Sequence, residues 1–476
     1  MKVGRPCMNS KTKDCNAVII GVMLSGSFIA VLNQTVLSPA LPSIMRELRI
    51  TAIEGQWLTT AFMLVNGIMI PVTAYLINRF TTRQIFLSSM VLFAAGTLLA
   101  GFSRTFLVLL IARILQAMAA GVLMPMVQTV ILLLFPREER GSAMGTVGIV
   151  MAFAPAVGPP LSGWFVDAWG WNSIFLAIAP LAALDVICGF VMLKNVGETK
   201  KLRLDHRSVT YSTLGLGGIL YGSSNAGGYG WDNPLTLVPL LIGIVFVVIF
   251  VRRQLRVDAP LLELRILRNK IFRYSTIVVM ILYASLIAGT IMMPIYLQDV
   301  LNFSALKSGM IMLPGAIAMG VMSPVTGHLF DRYGPRAIAI TGLSIMTLFS
   351  VFFVLMDETW CFTYLCLIYT ARMFGMSLVL MPLTTWGLND LENNMIAHGS
   401  AIINTARQVA GSIGAAILIT IMVMVAALNK SAGAVQSTLH GMHVAFGIAS
   451  ILAAIALIMA ILFVGKEQDS QDIFCD

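Results

Sequence analysis

The ten residues GHLFDRYGPR, 327–336, end one long apolar segment and turn directly into the next. A related stretch, AYLINRFTTR, lies at 74–83 and also joins two apolar segments. An internal echo of this kind indicates a chain built from two related halves. Repeated halves in a membrane protein place a substrate site near the middle of the bilayer, at the interface between them.

The segments that these loops join have the composition of membrane-spanning helices. Of the 476 residues, 58% are hydrophobic and 11% are charged, a balance outside the range of soluble globular proteins. Apolar runs of about 18 to 25 residues are long enough to cross a hydrocarbon core about 30 Å thick. These runs are apolar throughout, which favours helices over a barrel, because the strands of a barrel alternate between polar and apolar residues. We therefore predict an all-α polytopic membrane protein.

Fourteen spans are predicted along the chain. They cover residues 17–41, 56–78, 84–103, 105–135, 141–164, 172–193, 208–228, 234–252, 273–298, 306–330, 335–356, 360–388, 398–428 and 440–464. The two related loops follow the second and the tenth span, so helices seven and eight are predicted to be an insert between equivalent six-helix bundles. The predicted domains are a leader at 1–16, a first bundle at 17–193, a linker region with the two extra spans at 194–272, a second bundle at 273–464 and a tail at 465–476.

The charge pattern predicts the orientation of the chain and argues against a nucleic-acid partner. The formal net charge is +9, but Lys and Arg concentrate in alternate loops and in both tails, as the positive-inside rule describes. We expect a multi-pass monomer in the lipids of the plasma (inner) membrane, with both termini in the cytoplasm. The basic leader MKVGRPCMNSKTK resembles the start of a signal peptide. No small-residue cleavage site follows it, so the first span is expected to be retained.

No cofactor or metal is expected. The six cysteines lack the spacing of metal ligands, and no GxxxxGK[ST] loop is present for a nucleotide. Among the five histidines only His440 and His443 lie near each other in the sequence, and a position at the membrane interface is favoured over metal binding. The proton gradient is therefore the expected source of energy.

The loop at 327–336 carries the sharpest motif. Gly327 allows close helix contact, Gly334 allows a tight turn, and Asp331 lies among arginines. An ordinary basic turn is the alternative, but the order of these residues resembles the loop motif of the major facilitator superfamily, G-x-L-x-D-R-x-G-R. The resemblance implies two six-helix bundles and a clasp that stabilises one face of an alternating-access cycle. The predicted clasp residues are Gly327, Asp331, Arg332, Gly334, Arg336 and Arg79.

The first copy of the loop departs from this motif. Ala74, Asn78 and Thr81 stand where Gly, Asp and Gly are expected. A weaker clasp is predicted there, with Arg79 and Arg83 acting mainly as charges that set the topology.

The stretch LLIARILQAMAAGVLMP, 109–125, places Arg113 inside a span. A charge there costs about 2.5 to 3.5 kcal/mol on insertion scales unless a partner or cavity receives it. Arg113, Gln116, Gly121 and Pro125 resemble the superfamily's helix 4 motif, in which the arginine is associated with proton transfer. The alternative is an arginine that reaches toward the outer headgroups near Arg104.

The stretch GIVMAFAPAVGPPLSGW, 148–164, is rich in Gly, Pro and Ala. Small residues let helix backbones approach closely, and prolines remove backbone donors and bend the helix. General membrane-helix packing explains part of this composition, but the stretch closely resembles the antiporter motif of the superfamily's exporters and thus favours export. The predicted hinge and packing residues are Gly148, Pro155, Gly158, Pro159 and Gly163.

The stretch LNQTVLSPALP, 32–42, places two amides, Asn33 and Gln34, inside the first span. They either join helices by hydrogen bonds or line a cavity. The stretch resembles the helix 1 motif of the fourteen-helix drug:proton antiporters of the EmrB/QacA type, in which Asp commonly occupies the position of Asn33. The variant with Asn resembles the exporters of the lincomycin-resistance type.

An amide does not exchange a proton near neutral pH, so proton coupling needs another group. Asp185, in PLAALDVICGF, is the carboxylate predicted to lie deepest in a span. Burial disfavours the charged form of a carboxyl group, which lets it take up a proton. We predict that Asp185 carries the coupling proton with Arg113 as its electrostatic partner. The alternatives are that Asp185 pairs locally or lies nearer the cytoplasm.

These features predict a secondary active exporter that moves amphipathic or cationic organic compounds out of the cytoplasm by alternating access and proton antiport. Besides Arg113, its cavity is predicted to be lined by Asn33, Gln34, Gln116, Met124 and Tyr296. A weakly coupled or uncoupled transporter of a metabolite, lipid or peptide is the alternative. A membrane enzyme or receptor is a remote one, because no cluster of catalytic groups is apparent.

Overall fold

The computed structural model describes residues 10–197, 199, 204–429 and 433–465. Residues 1–9 of the predicted leader and 466–476 of the predicted tail lie outside the described residues. Within the described ranges the chain is helical and contains no strand. The prediction of an all-α membrane protein is therefore confirmed. In a bilayer, a helix satisfies its own backbone donors and acceptors where no water is available to do so.

Thirteen α-helices make up the described chain. They are α1 Ser10–Leu48, α2 Ala52–Arg79, α3 Thr82–Gly101, α4 Phe106–Leu134, α5 Arg140–Trp169, α6 Asn172–Met192, α7 His206–Tyr229, α8 Pro234–Gln254, α9 Lys270–Ile295, α10 Ala305–Phe352, α11 Phe362–Asn389, α12 Ile396–Leu428 and α13 Ala434–Phe463. Short helical turns occur at Arg137–Glu139, Leu264–Arg268, Tyr296–Val300 and Phe353–Leu355.

α10 consists of two helical segments that meet at Gly334. This residue has φ 77° and ψ 175°, a conformation essentially restricted to glycine. Pro335 follows and has no backbone N–H with which to continue the hydrogen-bond ladder. The break coincides with the loop predicted between the spans 306–330 and 335–356.

Twelve helices in the described chain are long and apolar enough to cross a membrane. Two features explain why this count is lower than the fourteen predicted spans. α10 is counted once despite its break at Gly334. α7 does not qualify because Gly, Ser and Thr are frequent along it.

The helices form two halves, α1–α6 and α9–α13. In the first half, α4 packs on α2 and α3, α1 packs on α5, and α3 packs on α6. In the second half, α10 packs on α11, and α12 packs on α9 and α13. The halves meet where α5 packs on α10 and where α2 and α4 pack on α12.

The inserted helices α7 and α8 form a hairpin over the seam between α2 and α12. Tyr221 of α7 stacks on Trp57 of α2 with ring centroids 5.4 Å apart. Just after α7, Trp231 donates from Nε1 to Thr420 Oγ1 of α12 at 2.7 Å. The insert therefore contacts both halves.

An ion pair links the start of α7 to the end of α8. Arg253 Nε lies 2.9 Å from Asp205 Oδ2. Hydrogen bonding from Arg253 is the main reason why the pKa of Asp205 falls to about 2. The carboxylate is therefore charged at every physiological pH.

Large apolar side chains cover the outer surface of the helices. Examples with more than half of their surface exposed are Leu107, Leu184, Phe190, Val191, Leu367 and Ile451. An apolar surface of this extent is unfavourable in water and matches the hydrocarbon of a bilayer.

Candidate transport site

A buried polar cluster joins α1, α3 and α4 around Arg113, whose side chain is 0% exposed. Arg113 Nη1 donates to Asn33 Oδ1 at 2.8 Å and to Gln116 Oε1 at 2.9 Å. Its guanidinium lies 4.3 Å from the ring centroid of Phe62. Gln116 Nε2 in turn donates to Thr97 Oγ1 at 3.0 Å. Arg113 therefore points into the bundle, and the alternative in which it reaches the outer headgroups is wrong.

The cluster contains more donors than acceptors. Arg113 Nε and Nη2 and Asn33 Nδ2 are buried without a hydrogen-bond partner. Asn33 uses its single carbonyl oxygen for Arg113, as a carboxylate at this position would. The amide therefore supplies the acceptor but leaves the positive charge of Arg113 uncompensated.

Asp185 lies in a separate pocket between α1, α3 and α6, and its side chain is 5% exposed. Ser25 Oγ donates to its Oδ1, while its Oδ2 has no partner. Gly26 makes room for this oxygen, because a Cβ atom there would lie 2.6 Å from Oδ2 and also meet Met90 and Phe86. The carboxyl group is thus enclosed by apolar side chains.

Asp185 and Arg113 do not contact each other. Their partners on α1, Ser25 and Asn33, are eight residues apart, which is about 12 Å along the helix axis. The predicted electrostatic pairing is therefore not a direct ion pair. Asp185 does make the local contact that the sequence left open as an alternative, since its partner is the hydroxyl of Ser25.

Three further residues were predicted to line a substrate cavity. Gln34 on α1 and Met124 on α4 are half-buried. Tyr296 is fully buried and donates from its hydroxyl to the carbonyl oxygen of Asp357 at 2.7 Å. Tyr296 therefore anchors the loop after α10, and its place in a cavity wall stays a prediction.

Asp331 connects the two halves. Its Oδ1 accepts from the backbone N–H of Gly141 at 2.8 Å, and its Oδ2 accepts from the N–H of Ser142 at 2.7 Å and from the Ser142 hydroxyl. These N–H groups belong to the first turn of α5, which has no acceptors for them within its own helix. A negative charge at a helix N-terminus is also favoured by the helix dipole. Asp331 thus caps α5 from the opposite half.

The arginines of the predicted clasp contribute differently from what the motif suggested. Arg332 lies 5.3 Å from the neighbouring Tyr333 ring, and Arg79 lies 5.8 Å from the neighbouring Phe80 ring. Neither these side chains nor Arg336 forms an ion pair with Asp331 in the described chain. The carboxylate is satisfied by backbone N–H groups, so the expected Asp–Arg clasp is corrected to a helix cap. We call the end of the molecule that contains Asp331 the clasp end.

Glycines let α5 and α10 approach closely beside this cap. A Cβ atom on Gly327 would collide with the carbonyl oxygen of Gly141, and one on Gly145 would lie 2.6 Å from the carbonyl oxygen of Ser323. A Cβ on Gly148 would collide with the side chain of Ser323. The halves are therefore in backbone contact at the clasp end.

Farther along, α5 packs on α1 instead. Gly158 lies against the side chain of Thr35, so a Cβ there would collide with it. Pro155 and Pro159 lie on the exposed face of the helix. Around Gly163 a Cβ would meet nothing within 4 Å. The predicted packing role of Gly163 is therefore wrong, because no neighbouring helix reaches that position.

Sequence reasoning missed a polar seam between α4 and α12. Gln128 Oε1 accepts from Asn404 Nδ2 at 2.6 Å and from Ser400 Oγ at 3.0 Å. At the clasp end, Asn78 of α2 also contacts His398 Nε2 of α12 at 3.2 Å. The only signal in the sequence was the presence of amides inside apolar segments, and that signal does not identify partners.

Two helical halves that meet along a polar seam, and buried charges inside apolar helices, define a membrane transporter. The chain belongs to the Major Facilitator Superfamily, whose model matches residues 23–415. This family consists of transporters, so the chain is not an enzyme, and the remote alternative of an enzyme is excluded. The family resemblance stated from the sequence motifs is confirmed.

Relatives align over nearly the whole chain. An uncharacterized transporter of this superfamily from Bacillus subtilis, YcnB, is 44% identical over 444 residues, which cover 93% of this chain and 94% of the relative. The lincomycin resistance protein LmrB of the same organism is 40% identical over 453 residues, with 93% and 94% covered. Among solved structures, the human organic anion transporter MFSD10 matches with a TM-score of 0.68 and 14% identity, covering 94% and 99% of the two chains. This last likeness concerns the fold.

Proposed function

We propose that this protein is a secondary active multidrug exporter that moves amphipathic or cationic organic compounds out of the cytoplasm. Its relatives include a protein named for lincomycin resistance that aligns over 94% of its own length. The motifs in α1 and α5 that resemble those of drug exporters support the direction of transport. Lincomycin is therefore the first compound to test.

The proposed mechanism is alternating access of the two halves, with both termini and the clasp end in the cytoplasm. The cap on α5 by Asp331 and the glycine contacts between α5 and α10 support a state closed to the cytoplasm. Opening requires that Asp331 leave the N-terminus of α5. The segments of α10 on either side of Gly334, together with α7, bring the proposed number of spans to fourteen.

The proposed energy source is proton antiport through Asp185. The observation that carries this step is a nearly buried carboxyl group with one oxygen unpartnered and no ion pair within the described residues. Such a group changes charge when it takes up a proton, and its loss of charge relieves the cost of burial. One charge that crosses 100 mV releases about 2.3 kcal/mol, enough for a roughly fifty-fold gradient of cargo.

The test uses proteoliposomes with an imposed pH gradient and labelled lincomycin. We expect the wild type to accumulate the drug against its gradient and Asp185→Asn to lose this accumulation while it still exchanges drug at equal concentrations. Asp258→Asn, which changes an exposed carboxylate in the linker after α8, is the matched control. Unchanged accumulation in Asp185→Asn would exclude Asp185 as the coupling group.

A second candidate is a transporter with little or no proton coupling, for a metabolite, lipid or peptide. The amide of Asn33, which stands where related drug antiporters commonly carry Asp, favours it. Transport by the wild type that persists after collapse of the pH gradient with an ionophore would support this candidate over the first.

A further inference from the structure

Apart from Arg140 at the first residue of α5, three arginines are buried in the apolar helices of the described chain, and Arg407 has the weakest acceptors of the three. Arg113 and Arg372 each donate to side-chain oxygens within their own half. Arg407, whose side chain is 4% exposed, donates from Nη2 to Met151 Sδ at 3.1 Å, and its Nε and Nη1 have no partner. A thioether sulfur is only a weak acceptor. The Tyr283 hydroxyl on α9 also interacts with the guanidinium, so Arg407 is buried with weak, neutral acceptors and no counter-charge in the described chain.

The contact with Met151 crosses between the halves. Arg407 lies on α12 of the second half, and its guanidinium is 4.6 Å from the ring centroid of Tyr283 on α9. Met151 lies on α5 of the first half, beyond the stretch that Asp331 caps. Any motion that separates α5 from the second half at the clasp end also removes the sulfur atom from Arg407.

A second unpaired donor lies one helical turn away. Asn404 precedes Arg407 by three residues on α12, so the two side chains share a face. Asn404 is hydrogen-bonded to Gln128 Oε1, and Gln128 Nε2 is buried without a partner. Two consecutive turns of α12 therefore lead to three unpaired N–H-bearing nitrogens: Nε and Nη1 of Arg407 itself, and Nε2 of Gln128, which Asn404 contacts.

The chemistry of this seam calls for an acceptor that the described chain does not supply. A buried donor left without an acceptor bears its full desolvation penalty, and a buried charge without a counter-charge bears more. No carboxylate forms an ion pair with Arg407 in the described residues. The planar guanidinium matches the two oxygens of a carboxylate or sulfonate and repels an ammonium group.

We propose that Arg407, with Gln128 one helical turn of α12 away at Asn404, binds an anionic oxygen group, a carboxylate or sulfonate, of the transported amphiphile. Met151 covers this site while the clasp end is closed and uncovers it when α5 moves away. The proposal rests on the proposed export function and narrows its cargo at this site to amphiphiles that carry an anionic group, in place of cationic ones. It sets the anionic end of the substrate against Arg407.

The test measures equilibrium binding to purified protein in detergent, with two fluorescent probes that share a dansyl group. Dansylglycine carries a carboxylate, and dansylcadaverine carries an amine. We expect the wild type to bind the carboxylate probe, and Arg407→Gln to weaken that binding at least tenfold while binding of the amine probe is unchanged or stronger. Arg407→Lys keeps the charge but loses the planar fork, and we expect an intermediate loss.

Arg104→Gln, which changes an exposed arginine between α3 and α4, is the control and should bind both probes as the wild type does. The proposal is overturned if the wild type does not bind the carboxylate probe, or if both Arg407 variants bind the two probes in the wild-type ratio. Because no gradient is applied, the result is independent of transport. A wild type that binds the carboxylate probe but moves no compound in proteoliposomes overturns the export function and leaves this site in place.

Discussion

At the scale of single residues, an arginine–amide hydrogen bond lies at the centre of the Arg113 cluster. Asn33 Oδ1 accepts from Arg113 Nη1 at 2.8 Å, inside a cluster that is 0% exposed at both residues. A hydrogen bond to a charged donor is stronger than a neutral one. The pair therefore joins α1 to α4 without introducing a titratable group at that position.

Asn33→Leu should destabilise the protein, because it removes one of the two side-chain acceptors of a buried guanidinium. The expected loss is about 1 to 3 kcal/mol in the free energy of unfolding, measured as a lower thermal midpoint in detergent. Gln34→Leu is the control, since Gln34 is the neighbouring amide and is only half-buried. Equal midpoints for the two variants would show that the hydrogen bond to Arg113 contributes nothing.

The sequence predicts well which polar residues are buried, but it predicts their hydrogen-bond partners poorly. Arg113 and Gln116 are three apart in one helix, so their proximity follows from helical periodicity. The contact of Asp331 with Gly141 and Ser142 joins positions about 190 residues apart, and nothing in local pattern encodes it. The loop motif identified Asp331, but the geometry of the first turn of α5 decided what it binds.

At the scale of elements, glycines determine which helices touch. In the inserted hairpin, a Cβ atom on Gly218 would lie 2.5 Å from the carbonyl oxygen of Pro239 and 2.8 Å from Gly243. The adjacent Gly217 faces α2, where a Cβ would lie 3.5 Å from Ile68, an ordinary contact distance. Only one of these two neighbouring glycines is therefore required by the α7–α8 crossing.

Gly218→Ala and Gly217→Ala should have opposite effects on stability. Gly218→Ala forces α7 away from α8 and is expected to cost about 1 to 3 kcal/mol. Gly217→Ala gains helix propensity and should stabilise by up to about 1 kcal/mol. Thermal unfolding of the two purified variants, compared with the wild type, measures both. A stabilised Gly218→Ala variant would contradict the close crossing of the hairpin.

The spans could be located from the sequence because apolar length alone defines them. The sequence does not distinguish the glycines that are needed for close helix packing from those that are not, as Gly158 and Gly163 on α5 illustrate. Both occur in the same motif, yet one lies against Thr35 and the other faces open space. That difference depends on where the neighbouring helix lies, which is a tertiary property.

At the scale of the whole molecule, contacts between the halves cluster at the clasp end. They include Asp331 with the start of α5, Arg140 with Asn389 and Asn393, and Asn78 with His398. These polar contacts oppose separation of the halves at that end. Their strength therefore sets the balance between the closed state and the open one.

Asp331→Asn should shift this balance toward the open state. An amide has one carbonyl oxygen and no charge, so it satisfies fewer N–H groups and loses the interaction with the helix dipole. A loss of about 1 to 2 kcal/mol corresponds to a shift of roughly five- to thirty-fold in the ratio of closed to open molecules. Spin labels at positions 138 and 333, both exposed, report the distance across the clasp end in a background without native cysteines.

Asp299→Asn is the matched control, because Asp299 is an exposed carboxylate in the turn after α9, on the second half. The distance distribution of this control should equal that of the wild type. If Asp331→Asn also keeps the wild-type distribution, the helix cap does not determine closure.

The two related loops contact the opposite half in different ways, although they share a sequence pattern. Asn78 in the first copy contacts the His398 side chain of α12, whereas Asp331 at the equivalent position of the second copy caps the N-terminus of α5. The approximate twofold symmetry of the architecture therefore does not extend to these polar contacts. A small molecule or antibody fragment bound beside the second loop should disrupt the helix cap and leave the contact between Asn78 and His398 in place.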